Sequence, residues 1–152
     1  MSALLALKTV HILSGAVLFG TGLGIAFFML MARRTGNPAL MAGVGRIVVL
    51  ADMVFTASAV VIQPATGVLL AWMEGIPLGA PWLVASYGLY LLVGACWLPV
   101  VWIQMLLVQL AEAGKAPSRE YDRLFRIWFI LGWPAFVGVI AIYGLMTAKP
   151  AL

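Results

Sequence analysis

Six polar side chains lie where the chain is otherwise apolar, and they are the residues with chemistry to offer. They are Lys8, His11, Asp52, Gln63, Thr66 and Gln104. His11 is the only histidine, and Lys8 precedes it by three residues, so a helix would project both from one face. A neutral imidazole can ligate iron, accept or donate a hydrogen bond, or relay a proton. Lys8 can extend outward to an anion such as a carboxylate or phosphate. The pair also reads as a histidine bonded to a neighbouring helix beside a lysine that anchors the boundary. Asp52 is costly to bury as an anion, so it is expected to meet a cation or lie among headgroups. Arg34, Arg46 and Arg126 are candidates for an ion pair, and a proton relay or ligand site is the other reading. Gln63 and Thr66 flank Pro64, whose missing N–H leaves the Val60 carbonyl without a donor; either side chain could supply one. Gln104 is a further buried amide.

The elements that position these residues follow from the distribution of charge. No Lys, Arg, Asp or Glu occurs in Thr9–Ala32, Met53–Met73, Gly75–Ala111 or Ile127–Ala148. A hydrocarbon core about 30 Å thick takes roughly 20 apolar residues of helix to cross. Of 152 residues, 64% are hydrophobic and 9% charged, against about a quarter charged in a soluble domain. The fold expected is all-α: one antiparallel bundle of four transmembrane helices, with spans near 4–32, 46–73, 82–111 and 126–148. The first apolar run exceeds the 7–15 residues of a signal-peptide core, so it is read as an uncleaved span.

The net charge of +4 does not indicate nucleic acid, because the basic residues sit at span ends. Arg33, Arg34 and Arg46 flank the first turn, and Lys115, Arg119, Arg123 and Arg126 flank the third. The middle turn has none, and the termini add Lys8 and Lys149. The positive-inside rule then puts turns one and three in the cytoplasm of a bacterial inner membrane, with both termini outside.

Local signals refine the boundaries. Thr35-Gly36 ends the first helix; Asn37 caps the second, with Pro38 at its first position. Pro64 predicts a kink over Val60–Pro64, and Pro99 a second break in the third span. Ser118 caps the last helix, with Glu120 and Asp122 at its positive end. Gly20 and Gly24 form a G-x-x-x-G pair that admits close approach of another helix, including one from a second copy. Trp97, Trp102 and Trp133 read as packing residues that could also line a flat cofactor. Cys96 is the only cysteine, which leaves no disulfide within the chain. The sparse polar set supports no hydrolytic triad, zinc signature or phosphate loop.

Three segments carry a resemblance. Lys8-Thr9-Val10-His11-Ile12-Leu13 with Leu18 to Gly22, Gln63-Pro64-Ala65-Thr66-Gly67, and Trp97-Leu98-Pro99-Val100-Val101 with Gln104 resemble the bacterial membrane proteins of domain-of-unknown-function family 2269. The Lys8-to-Ile12 opening, Thr66 to Trp72, and Trp82-Leu83 are also similar, more distantly, to HemJ-type protoporphyrinogen oxidases and CopD-type copper-resistance proteins. That resemblance implies haem b bound through His11, with Lys8 beside a propionate and electrons exchanged with a quinone or an oxidoreductase partner. Ser86 stands where the HemJ type has an important lysine, which speaks against protoporphyrinogen oxidation. The alternative is a non-catalytic membrane subunit or small-molecule binder without a cofactor.

Overall fold

A computed structural model describes residues 2–150. Its helices are α1 (Ala3–Thr35), α2 (Pro38–Ala51), α3 (Ala57–Met73), α4 (Pro81–Glu112) and α5 (Arg119–Ala148). A π-helical segment, Asp52–Thr56, joins α2 to α3. The described residues contain no strand. Pro38–Met73 therefore crosses as one continuous helical element, and four elements are long and apolar enough to span a bilayer.

The caps fall where side-chain chemistry places them. Asn37 accepts from the Ala39 and Leu40 N–H groups at 3.0 and 3.3 Å. Ser118 accepts from the Tyr121 N–H at 3.2 Å. Gly36 ends α1 in the left-handed region, φ 64°, where a residue lacking Cβ is unstrained. The expected break at Pro99 does not occur, because α4 runs through it. Nor does α3 end at Pro64. An irregularity of the second span that the pattern did not predict lies earlier, at the π-helical segment, where the Ala57 N–H reaches back five residues to the Asp52 carbonyl. The Val60 carbonyl freed by Pro64 accepts from the Tyr90 hydroxyl of α4, not from Gln63 or Thr66.

α4 and α5 pair most extensively; α2 packs on α4, and α1 on α2 and α3. The two halves of the bundle differ. The main cluster of buried side chains, from Ile25 and Met29 of α1 through Leu107 of α4 to Phe125 and Trp128 of α5, fills the half nearer the arginines. Ion pairs Arg33–Asp122 (2.8 Å) and Arg46–Glu112 (3.1 Å) tie that end together. In the other half α3 lies against α1 and α5 against α4, and many inward side chains are polar: His11, Ser14, Gln63, Ser86 and Tyr90. Gly15 lets α3 approach α1, since a Cβ there would meet the Gln63 amide and lie 2.8 Å from the Tyr143 hydroxyl.

The outer surface is apolar. Ile12, Val61 and Leu91 are 68, 69 and 74% exposed. Water would penalise such continuous apolar exposure, whereas lipid accepts it. Gly20 has no neighbouring atom within 4 Å of an added Cβ, so no helix of this chain uses the expected G-x-x-x-G approach.

Candidate functional site

The first polar group is built by α1 and α3. His11 Nδ1 lies 2.7 Å from Thr66 Oγ1. The Thr66 hydroxyl is positioned to donate its single proton to the Ile62 carbonyl at 2.7 Å, one turn back on its own helix. It then has a lone pair for Nδ1–H, and Nε2 is left with its own lone pair. No hydrogen bond among the described residues uses Nε2. Gly67 makes room for the ring: a Cβ there would lie 3.2 Å from His11 Cε1.

Gln63 completes this group and couples to the imidazole proton. Turned to satisfy α1, its amide oxygen accepts from the Gly15 N–H at 3.0 Å and its nitrogen donates to the His11 carbonyl at 3.2 Å. The same nitrogen lies 2.7 Å from His11 Nδ1. In that orientation Nδ1 must accept, and the ring proton moves to Nε2. The reverse orientation presents an amide oxygen to Nδ1–H and frees the Nε2 lone pair. Amide orientation thus decides whether Nε2 offers a lone pair or a proton.

Lys8, one turn from His11, is engaged by Glu74 at the end of α3. The hydrogen bond from its ammonium holds the Glu74 carboxyl below the usual carboxylate range. Lys149 lies over the Trp82 ring, 5.7 Å from its centroid. Lys8 thus has a carboxylate partner from its own chain.

The second polar group lies in the arginine-bearing half. Asp52 is 2% exposed, enclosed by the protein itself. Among the described residues no cationic side chain pairs with it, which overturns the expected ion pair. Trp97 Nε1 donates to Oδ1 at 3.2 Å. The Gln104 amide, turned to suit its neighbours, donates to Oδ2 at 3.0 Å and accepts from Trp128 Nε1 at 3.3 Å. The reverse orientation would set oxygen against carboxylate and N–H against N–H. Of the three expected partners, Arg46 pairs with Glu112, and Arg34 and Arg126 are exposed.

His11, Gln63 and Thr66 thus come together, as do Asp52 and Gln104. Eleven residues separate Asp52 from Gln63, about 16 Å along a helix, so these are two sites. The structure adds residues that the pattern did not single out: Glu74, Gly15, Trp128, and Trp97 as a donor. Trp102 and Trp133 are 61 and 56% exposed and line neither group. No group of three or more His, Cys, Asp or Glu side chains suited to a metal ion occurs among the described residues.

Four apolar helices around sparse, internally bonded polar groups define an integral membrane protein. The chain matches the family described as predicted integral membrane protein, DUF2269, over residues 5–150, and belongs to it. No curated protein and no solved structure matches the chain.

Proposed function

We propose that this membrane protein presents His11 Nε2 to a ligand in the lysine-bearing half of the bundle, and that the ligand is haem b. The observation that carries this reading is the Nδ1 contact with Thr66. A ligating histidine is ordinarily held by a hydrogen bond at its other nitrogen, which fixes the ring and raises its basicity. Here the Thr66 hydroxyl serves that purpose and Nε2 has no protein partner. His11 would hold the group through Nε2, and a second ligand would come from elsewhere, such as His11 of another copy. Gly20 and Gly24 lie on the opposite side of α1, so that copy would not be the one that packs on them. When bound, the haem would supply one-electron redox chemistry, exchanging electrons with a quinone or an oxidoreductase partner.

A second reading has its own observation. The Gln63 orientation that satisfies both Gly15 and the His11 carbonyl places the ring proton on Nε2. That imidazole donates to a carbonyl oxygen instead of ligating iron, as a small-molecule binder without a metal would require.

Absorption spectra of purified protein supplied with haem, oxidised and dithionite-reduced, decide between them. A Soret band abolished by His11→Ala supports haem. No band in the wild type removes haem and leaves the carbonyl-binding reading.

The proposed setting is a bacterial inner membrane. Seven basic residues flank the turns at one end and two lie near the other, so the arginine-bearing turns face the cytoplasm and both termini face outward.

A further inference from the structure

The Asp52 group is independent of His11 and has a requirement of its own. An ionised carboxylate taken out of water needs a cation or a dense set of donors. Asp52 has two neutral donors, Trp97 Nε1 and the Gln104 amide. Its side chain is surrounded by a π-helical segment, α4 and, through Gln104, α5. Four residues along the same segment, the Thr56 hydroxyl is buried and has no hydrogen-bond partner. That hydroxyl, about one turn away, can donate to a carboxylate or accept from a carboxylic acid. What favours the acid is a carboxyl only 2% exposed with no cation paired to it among the described residues.

The charged and titratable groups nearby do not supply a counter-ion. On its own element Arg46 is six residues back and paired with Glu112. On α1, Arg33 is paired with Asp122 of α5. On α4, Cys96 precedes Trp97 and cannot act as a cation. On α5, Arg126 is exposed.

We infer that Asp52 is a proton-binding site inside the membrane, held as the neutral acid with its O–H directed to Thr56 and its oxygens accepting from Trp97 and Gln104. Release of that proton to water leaves one carboxylate, and uptake restores the acid.

The test is infrared spectroscopy of the full chain in lipid, in H2O and D2O. The chain has only five carboxyl side chains: Asp52, Glu74, Glu112, Glu120 and Asp122. At neutral pH the wild type should show a protonated carboxylic acid C=O band that shifts in D2O. The band should vanish in Asp52→Asn and persist in Glu112→Gln and Asp122→Asn. Thr56→Val keeps the carboxyl and should shift the band by removing its acceptor; this variant decides the matter if Asp52→Asn does not fold. Absence of the band in the wild type, its survival in Asp52→Asn, or an unmoved band in Thr56→Val would overturn the inference. So would loss of the band on adding sodium chloride at fixed pH, which would make the site one for a metal cation.

Discussion

The Tyr90 hydroxyl of α4 donates to the Val60 carbonyl of α3, the acceptor that Pro64 leaves without its helical partner. A side chain thirty residues away thus repairs the helix and ties two spans together. Tyr90→Phe should lower stability by about 0.5–2 kcal/mol, the range for a hydrogen bond between membrane helices. Thermal unfolding in detergent measures the loss. An unchanged midpoint would mean that the carbonyl finds another donor.

Glycines on α1 should separate by position. Gly15→Ala forces a methyl group against the Gln63 amide and Tyr143, and should cost about 1–3 kcal/mol by overpacking. Gly20→Ala meets nothing and should be neutral or slightly stabilising, because alanine is the better helix former. Melting curves of the two variants test this contrast. A change in oligomer size confined to Gly20→Ala would place a second copy on that face.

Gly67→Ala addresses the ring itself. Its Cβ would lie 3.2 Å from His11 Cε1, so the imidazole must shift by a few tenths of an ångström. With haem bound, the Soret maximum of this variant should move while that of Gly20→Ala stays. Thr66→Val, which removes the Nδ1 partner, should weaken haem retention by about ten- to a hundredfold, the usual effect of losing a partner behind a ligating histidine.

The Lys8–Glu74 pair should make the lysine-bearing end sensitive to acid. Glu74 has a lowered carboxyl value in the folded chain, so its contribution is present above the ordinary value of 4.5 and is lost as pH falls through the lower folded value. Unfolding midpoints followed from neutral pH into that range should fall more steeply for the wild type than for Glu74→Gln. Parallel curves would show that the pair contributes nothing.

Orientation has a direct readout. In a Cys96→Ser background, a membrane-impermeant maleimide applied to intact cells should label Leu78→Cys and spare Ala113→Cys. The opposite pattern would invert the proposed topology.

The fold was legible because lipid imposes a long-wavelength signal. Four charge-free stretches give the helices, and Asn37-Pro38, Gly36 and Ser118 give their ends. The two polar groups were only half legible. Lys8 and His11 share a face through helix geometry alone, but their partners Glu74 and Thr66 come from a helix more than fifty residues on. Asp52 was expected to pair with an arginine on grounds of charge. Its actual partners are indole and amide N–H groups, which carry no charge to flag them. The π-helical segment has no composition that marks it, and Pro64 and Pro99 drew attention to places where the helices continue unbroken.

The two halves of the bundle are held by different forces. At the arginine-bearing end close apolar packing and ion pairs join the helices. At the other end the joins across the bundle are directional and few, the Tyr90–Val60 hydrogen bond and the Phe19–Phe136 stack. Single side-chain truncations should therefore loosen the lysine-bearing end more readily than the arginine-bearing one.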